Sequence, residues 1–473
     1  MEQATPLKDK TTHYRNNKAI KKAKQTDKDV PIYTNMIEEF IKIGVVGNVD
    51  SGKSTLVGVL SKGISDNGRG SARLRVFNYA HEANNGRSSS VAQEIMGFNK
   101  DGEQIFPERY VQSKNKYWKD VVKDAHKIIS LIDLCGHEKY LKTTMYGLVG
   151  TKPDYVMIVV GANLDLSKMT KEHLGIVLAL EIPFFVVITK TDMVAEEITK
   201  TTTEKLQKLL KHKIVNRTPM VIDNDNNSEV DVAVNAIMTN KICPIFKVSN
   251  VSEKGLKTLG SFMFKLQART NILGFGDKND SIEFDIHDNF TVNGVGLVVS
   301  GILKKGQLKV GKNLYLGPDK ADNYTLVQVK SLHFSRVAVT VANPGQLCCM
   351  SFRTVGKGEI NKTYLRKGMV LLETKSVPKS VRCFEAKVTV LHHASTIKAN
   401  YEAMLHCGVI RQTVMLEEMD KNLLRARDEA IIRFRFKYCS EYLTEGRTFL
   451  LREGTTKIIG QVTKVFHVNK NVG

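Results

Sequence analysis

Residues 41–60 read IKIGVVGNVDSGKSTLVGVL, which is an apolar run, a glycine-containing turn and a helix-like segment in succession. Within them, residues 47–54 (GNVDSGKS) satisfy the pattern GxxxxGK[ST] in the strand–turn–helix setting that a phosphate-binding loop requires. Glycines let backbone N–H groups converge on phosphate oxygens, and the start of a helix adds partial positive charge. A chance glycine-rich turn would not need this spacing, so the stretch predicts a nucleotide-phosphate site.

Three side chains at the end of this loop have predicted roles. Lys53 is expected to reach the β- and γ-phosphates, and the Ser54 hydroxyl is expected to bind Mg²⁺. Thr55 is expected to contact the α-phosphate.

Around this loop, short apolar runs alternate with helix-like segments. The candidate buried strands are 41–47, 127–133, 154–160, 184–190 and 243–249, and the helix-like segments are 53–60, 171–180 and 254–266. Strands that alternate with helices favour an α/β fold with a mostly parallel sheet covered on both faces. A polar stretch at 223–231 (DNDNNSEVD) is predicted to be a surface loop.

The pattern changes after about residue 275, where short strands with Gly and Asn turns replace the helices. Residues 290–318 (FTVNGVGLVVSGILKKGQLKVGKNLYLGP) are typical of this part and predict antiparallel β-barrels. The predicted domains are a flexible basic arm (1–34), a phosphate-loop domain (35–272), a second, β-barrel domain (273–376) and a third, β-barrel domain (377–473).

A second motif, DLCGH at 133–137, ends the apolar run KIISLID. An aspartate there, Asp133, can hold Mg²⁺ through water, and the Gly136 N–H can sense the γ-phosphate. DxxG alone is weak evidence, but its place at the end of a neighbouring strand strengthens it.

A third motif, TKTD at 189–192, indicates which base is bound. The Asp192 carboxylate can accept two hydrogen bonds from guanine N1–H and N2–H₂, and adenine offers no such pair. Lys190 is expected to lie along the base and ribose, and a backbone N–H near Ser249 and Asn250 could read guanine O6. Four signals in this order, each at a strand end, fit the GTPase plan with the ligand at the carboxyl edge of the sheet.

Composition limits the class of protein. The chain has 473 residues, 42% hydrophobic content and seven scattered cysteines without a CxxC pair, which disfavours a membrane span, a disulfide framework or a zinc site. The polar start MEQATPLKDK is unlike a secretory signal, so a cytoplasmic protein is expected. Of the formal net charge of +21, residues 271–473 carry +11, which suggests a polyanionic partner; a basic but non-binding surface is the alternative.

The motifs resemble those of translational GTPases. GNVDSGKST (47–55) is similar to their GHVDHGKST loop, and DLCGHEKYLKTTMYGLVG (133–150) is similar to their DxxGH segment. The chain from about 38 to 468 resembles the group called GTP-binding protein 1 and 2, relatives of elongation factor Tu and eukaryotic elongation factor 1-alpha.

This resemblance implies a GTPase domain followed by two β-barrels. It implies that His137 orients the attacking water once a large activator engages, and that Ser90 binds Mg²⁺ in the GTP state. Asp50 would help to hold a monovalent cation. Thr189 stands where the family has Asn, so it stays open whether this residue connects the base loop to the phosphate loop. The three serines at 88–90 leave open which hydroxyl binds Mg²⁺.

The candidate site therefore has one catalytic residue, one nucleotide-binding set and one metal-binding set. The catalytic candidate is His137; the GTP- and GDP-binding candidates are Gly47, Asn48, Val49, Asp50, Ser51, Gly52, Lys53, Ser54, Thr55, Asp133, Gly136, Thr189, Lys190, Asp192, Ser249 and Asn250; the Mg²⁺ candidates are Ser54, Ser90 and Asp133.

The expected function is a monomeric elongation-factor-like GTPase that binds the ribosome and tRNA or another RNA, with RNA surveillance and its protein partners as a variant. A regulatory or scaffold GTPase whose barrels bind protein is the alternative. A small-molecule enzyme with an accessory GTPase is disfavoured, because the barrels carry no second catalytic constellation. Arg411, Arg433, Arg435 and Lys437 could form an RNA-binding face or an ordinary solvated one.

Overall fold

The computed structural model describes residues 39–107, 114–223, 227–269, 272–356, 360, 362–393, 395–454 and 456–468. The predicted arm at 1–34 lies outside these residues. The described elements are consistent with the α/β-plus-barrels architecture expected from the sequence. Among the described helices, none combines the length and apolarity needed to cross a membrane.

The helices lie in the first part of the described chain. They are α1 (Lys53–Lys62), α2 (Ala80–Asn85), α3 (Lys114–Asp124), α4 (Leu141–Thr151), α5 (Lys168–Ala179), α6 (Glu196–Lys211), α7 (Asn227–Met238) and α8 (Leu256–Lys265), with 3-10 helices at Arg73–Arg75 and Glu138–Tyr140. The first eight strands are β1 (Glu39–Gly47), β2 (Ala92–Phe98), β3 (Gln104–Ile105), β4 (Lys127–Asp133), β5 (Tyr155–Gly161), β6 (Phe184–Thr189), β7 (Thr218–Ile222) and β8 (Ile242–Lys247).

These strands form one sheet in the order β3-β2-β4-β1-β5-β6-β8-β7. β1 pairs in parallel with β4 and β5, whereas β2 pairs antiparallel with β4. The central strands are buried along their whole length because helices cover both faces, as parallel sheets require. The carboxyl ends of β1, β4, β6 and β8 therefore open onto one edge, where the loops that follow them meet.

The later strands are antiparallel. They are β9 (Glu283–Val292), β10 (Gly296–Lys305), β11 (Leu308–Lys309), β12 (Asn313–Gly317), β13 (Thr325–Phe334), β14 (Val337–Val339), β15 (Val341–Ala342), β16 (Leu347–Thr354), β17 (Val370–Leu372), β18 (Val381–His392), β19 (Glu402–Cys407), β20 (Ile410–Met419), β21 (Glu429–Phe436), β22 (Thr448–Glu453) and β23 (Thr456–His467). One sheet has the order β12-β17-β9-β10-β16-β13-β14, with an extra β12–β13 pairing, and β18-β21-β20-β19-β22-β23 is a closed barrel.

One expected loop is partly helical. The stretch 223–231 was predicted to be a surface loop, but α7 begins at Asn227. Asn, Asp and Ser favour the first turn of a helix as well as turns, because their side chains can bond free backbone N–H groups. The apolar residues Val230, Ala233 and Ile237 of α7 are buried in the core under the sheet.

Candidate nucleotide site

A cleft lies at the sheet edge where β1 and β4 end. The residues of the predicted site that line it are Val49, Asp50, Gly52, Lys53, Ser54, Thr55, Gly136 and His137. Its other lining residues are Arg73, Gly86, Arg87 and Ser88, all from the segment between α1 and β2. The cleft is therefore lined by two predicted motifs, the phosphate loop and DxxGH, and by a segment that lies outside both.

The backbone of the phosphate loop needs glycine at two positions. A Cβ at Gly47 would lie 2.2 Å from the Val159 carbonyl oxygen of β5, so the loop can leave β1 only without a side chain there. Gly52 has φ of +84° and caps the start of α1 in the left-handed region that glycine favours. The first N–H groups of α1 consequently lie beside the cleft.

Lys53 is a buried cation without a carboxylate in direct contact. Its Nζ donates a hydrogen bond of 2.7 Å to the Asn48 carbonyl oxygen, which folds the side chain over the loop. Burial lowers the pKa of the Lys53 amine, although the nearby Asp133 opposes the shift. A Cβ at Gly136 would lie 2.5 Å from Lys53 Nζ, so the DxxG loop packs directly on the phosphate loop.

Ser54 and Asp133, the two Mg²⁺ ligands predicted from these motifs, are in direct contact. Ser54 Oγ donates to Asp133 Oδ2 at 2.5 Å, while Asp133 Oδ1 is buried without a hydrogen-bond partner. Burial raises the pKa of the Asp133 carboxyl to about 6, and Lys53 counteracts part of this. A hydroxyl and a carboxylate with a free oxygen suit Mg²⁺, which takes few protein ligands and completes its shell with water and phosphates. Within the described ranges, no cluster of three or more His, Cys, Asp or Glu forms a metal cage.

The three serines before β2 face different partners. Ser88 Oγ lies 2.8 Å from Ser54 Oγ and donates to Asp133 Oδ2 at 3.4 Å. Ser90, the expected Mg²⁺ ligand, instead donates its hydroxyl and its N–H to Glu82 Oε1, each at 2.9 Å. Ser89 makes the same pair of bonds to Glu82 at 2.9 and 2.7 Å. The structure therefore brings Ser88, and not Ser90, to the Ser54–Asp133 pair.

Glu82 is the buried carboxylate that accepts hydrogen bonds from both sides of the segment between α1 and β2. It lies in α2, is 1% exposed, and also accepts from the N–H groups of Asn78 and Tyr79 at 3.0 and 3.2 Å. Burial alone would raise the pKa of Glu82, but the hydrogen bonds from the serines and from Asn78 outweigh it and hold the pKa below its usual value. Sequence reasoning missed Glu82, because a lone Glu in a short polar helix carries no recognisable motif.

His137 lies at the exposed rim of the cleft. Its Nδ1 accepts a hydrogen bond from the Lys139 N–H at 3.1 Å, and its ring packs edge-on against Tyr140 at 6.1 Å between centroids. This acceptor role leaves the proton of a neutral ring on Nε2. The imidazole can thus exchange a hydrogen bond with water at the mouth of the cleft.

The base-reading loop lies beside the phosphate loop. Thr189 is fully buried, and its hydroxyl donates to the Ser51 carbonyl oxygen at 2.6 Å. Thr191 Oγ1 donates to the Val248 carbonyl oxygen at 3.1 Å and joins the loop to the one after β8. Lys190 has φ of +61°, and Asp192 is exposed. Although Thr replaces the family's Asn at position 189, its hydroxyl therefore connects this loop to the phosphate loop through a hydrogen bond to a carbonyl oxygen.

The loop after β8 is the last of the four loops that carry predicted site residues. Ser249 is buried, and its Oγ accepts from the N–H groups of Val251 and Ser252 at 3.2 and 3.0 Å. Asn250 Oδ1 is buried without a hydrogen-bond partner, and Asn250 Nδ2 lies 3.7 Å from a Cβ built on Gly52. These residues flank the phosphate loop but do not line the cleft itself.

Among the basic residues of the closed barrel, Arg433, Arg435 and Lys437 are paired with carboxylates, whereas Arg411 is exposed. Arg433 and Arg435 lie within ion-pair distance of Glu417, with Arg433 Nε at 3.9 Å, and Lys437 Nζ lies 2.6 Å from a Glu402 oxygen. This charge compensation favours an ordinary solvated face at these residues over a free polycationic one.

Comparison with known proteins agrees with the fold and the motifs. The family model described as the elongation factor Tu GTP binding domain matches residues 38–268. GTP-binding protein 1 of Xenopus laevis is 41% identical over 433 residues, which are 91% of this chain and 64% of that protein. GTP-binding protein 2 of Mus musculus is 38% identical over 427 residues, 90% of this chain and 69% of that protein.

The chain therefore spans less than two thirds of the length of the Xenopus relative. Among solved structures, the bacterial selenocysteine-specific elongation factor EF-Sec superposes with a TM-score of 0.64 and 19% identity, covering 90% of this chain and 58% of that one. At that identity the likeness concerns the fold alone.

Proposed function

The chain belongs to the GTP-binding protein 1 and 2 family of elongation-factor-Tu-like GTPases, and on that premise we propose that it binds GTP with Mg²⁺ and hydrolyses it to GDP and phosphate in the cytoplasm. The observation that carries the proposal is the contact between motifs far apart in sequence. The Ser54–Asp133 hydrogen bond joins the phosphate loop to DxxG, and the Thr189–Ser51 hydrogen bond joins it to the base-reading loop. A monovalent cation at Asp50 is part of the proposal.

In the proposed reaction, water attacks the γ-phosphorus and the bond to the β–γ bridging oxygen breaks, so that GDP leaves with that oxygen. Lys53 and the N–H groups at the start of α1 stabilise the negative charge of the phosphates, and the Gly136 N–H faces the γ-phosphate. His137 positions the water through a ring nitrogen. Mg²⁺, held by Ser54 and through water by Asp133, would neutralise charge on the β- and γ-phosphates, with a serine of 88–90 as a further ligand.

His137 also supports regulation by a partner. The ring is exposed, and its hydrogen bond with Lys139 and its edge-on contact with Tyr140 are both local to the same loop, so its distance to an attacking water depends on how that loop is held. Catalytic groups need positioning to within fractions of an ångström. We therefore expect slow intrinsic hydrolysis and strong stimulation by an activator that orders this loop.

The proposed partner is the ribosome with tRNA or another RNA, in translation or RNA surveillance. The formal net charge of +21 supports a polyanionic partner. The ion-paired arginines of the closed barrel favour a second candidate, a regulatory GTPase whose barrels bind protein. Binding that weakens steeply with salt and needs RNA would support the first; binding that survives ribonuclease treatment would support the second.

The base assignment is tested with Asp192→Asn. An amide at this position can donate to the O2 of xanthine but cannot accept both guanine donors, so preference should move from GTP to xanthosine triphosphate by 10² or more. Competition of both nucleotides against a fluorescent GDP measures the shift. Asp165→Asn, an exposed Asp that pairs with Lys205, is the matched control. Retained GTP preference in Asp192→Asn would remove Asp192 from the base site.

A further inference from the structure

One cation of the cleft has no role in the motifs. Arg73 begins the 3-10 helix Arg73–Arg75, and its side chain lines the cleft together with Lys53 and Ser54. The guanidinium is enclosed by two glycines, since a Cβ at Gly70 would lie 2.5 Å from Arg73 Nε and one at Gly86 would lie 2.9 Å from Nη2. Side chains at either position would displace it.

The Arg73 guanidinium is partly desolvated without compensation. Its Nε is buried and has no hydrogen-bond partner. A buried donor of a charged group is costly to leave unpaired, and a bound ion is one of the partners that satisfies such a group in native proteins. In a cleft that also holds Lys53 and the start of α1, an anion is the ligand that would do so.

The chain that carries Arg73 is held by a buried carboxylate. Asp66 is 7% exposed and accepts hydrogen bonds from the N–H groups of Gly68, Gly70 and Ala72 at 2.9, 3.0 and 2.9 Å. The turn also packs closely on α1, because a Cβ at Gly58 would lie 2.4 Å from the Ala72 carbonyl oxygen. The residues before Arg73 therefore have a fixed position relative to the phosphate loop.

The same turn is attached to the base-reading side of the site. The Asp66 N–H donates to the Asn250 carbonyl oxygen at 2.8 Å. Asp66 thus connects the loop after β8 to the turn that ends at Arg73. The residues at the base end and at the phosphate end of a bound nucleotide would therefore be held by one hydrogen-bonded network.

We propose that Arg73 is a second phosphate-binding cation, which contacts the phosphate chain of the nucleotide opposite Lys53. This inference rests on the proposed GTP-binding function and adds a residue to it. A guanidinium fork donates two parallel hydrogen bonds to phosphate oxygens, which a lysine ammonium cannot reproduce. Arg87 lines the same cleft but is exposed, so ordering its side chain on the nucleotide would cost more side-chain entropy.

The test compares nucleotide affinity in three variants of the full chain. Arg73→Met keeps most of the aliphatic bulk and removes the charge, Arg73→Lys keeps the charge, and Arg75→Met alters an exposed arginine of the same short helix as a matched control. Titration with fluorescent GTP should show a loss of about 10-fold or more in Arg73→Met, a smaller loss in Arg73→Lys and none in Arg75→Met.

Two results would overturn the assignment of Arg73. One is an Arg73→Met affinity within twofold of the wild type. The other is an Arg73→Lys affinity no better than that of Arg73→Met, with the melting temperature lowered equally in both, which would make Arg73 a packing residue. A wild-type chain that binds no GTP would instead refute the proposed function, so the two failures are distinguishable.

Discussion

At the scale of single residues, the site is marked by buried oxygens that the protein itself does not satisfy. Asp133 Oδ1 and Asn250 Oδ1 are both buried without hydrogen-bond partners, although most buried polar atoms in folded proteins are paired. Asp133 lies at the phosphate side of the site and Asn250 at the base side. Under the proposed function, a water bound to Mg²⁺ would donate to Asp133 Oδ1.

His137→Ala should separate binding from hydrolysis. Because the ring lies at the rim and makes no contact with the phosphate loop beyond lining the cleft, GTP affinity should stay within about threefold of the wild type. Activator-stimulated hydrolysis should fall by about 10²–10⁴, the usual contribution of a positioned acid–base or water-orienting group. Single-turnover phosphate release with ribosomes measures this, and His212→Ala, at an exposed histidine after α6, is the control. Undiminished stimulated turnover would exclude His137 from the mechanism.

Residue positions were predictable where a motif constrains them. Lys53, Ser54 and Asp133 lie together in the structure because their spacing and strand-end positions determine where the backbone puts them. The Ser88–Ser90 choice was not predictable, since three adjacent serines offer the same hydroxyl. Their directions are set by Glu82, whose position depends on how a segment without regular pattern folds back.

At the scale of elements, the segment between α1 and β2 depends on one carboxylate. Glu82 accepts hydrogen bonds from four residues, of which Ser89 and Ser90 adjoin the Ser88 beside the metal-binding pair. α2 has only six residues and is too short to be stable alone. The order of the segment therefore derives from these contacts more than from its helix.

Glu82→Gln should loosen this segment without changing its size. An amide presents one acceptor oxygen and two donors, so the N–H and hydroxyl donors of residues 78, 79, 89 and 90 cannot all be satisfied. We expect Mg²⁺-dependent GTP affinity to fall about 10-fold and trypsin cleavage after Arg87 to accelerate. Glu204→Gln, at an exposed site in α6, is the control. Unchanged cleavage and affinity would show that Glu82 does not order the segment.

Elements were predictable where burial is continuous. The run 127–133 forms β4 over the same residues because it lies inside the sheet and is buried throughout its length. β2 was not identified from the sequence. It pairs antiparallel with β4 and is buried near the edge of the sheet, and its sequence AQEIMGF mixes polar and apolar residues. Glu94 within it is fully buried only because Lys62 and Lys114 pair with it, at 2.8 and 2.5 Å, and such a pairing is invisible before folding.

At the scale of the whole molecule, buried or half-buried charges join the sheet of β1–β8 to the later strands. Lys42 of β1 donates to the Gly345 carbonyl oxygen at 3.2 Å, in the turn before β16. Lys457 of β23 lies 2.7 Å from Glu172 of α5. These contacts make the relative position of sheet and barrels depend on hydrogen bonds and ion pairs as well as on apolar packing.

Lys42→Met should stabilise the protein at pH 7. Burial lowers the pKa of the Lys42 amine to about 8, while Asp154 opposes the shift. An amine whose pKa is lower in the folded than in the unfolded protein destabilises the fold below that pKa, and the penalty, about 3 kcal/mol here, disappears as the pH rises from about 8 towards 10.5. Because the hydrogen bond to Gly345 is also lost, we expect a net gain of about 1–2 kcal/mol.

Melting temperatures between pH 7 and 10 measure the effect. The advantage of Lys42→Met over the wild type should be largest at pH 7 and should reverse near pH 10, where the penalty has almost gone and the lost hydrogen bond remains. Lys309→Met, at an exposed lysine of β11, should show no such trend. A variant that is less stable than the wild type throughout this range would show that the ammonium stabilises the junction.

The Thr189–Ser51 hydrogen bond shows that a hydroxyl can connect the TKTD loop to the phosphate loop without an amide. A short branched hydroxyl reaches the neighbouring turn because the two backbones already run close together there. Surveys that demand asparagine at the head of the TKTD-type signature would overlook chains built in this way. A GTPase with a hydroxyl residue in that place can therefore keep the same connection between the two loops.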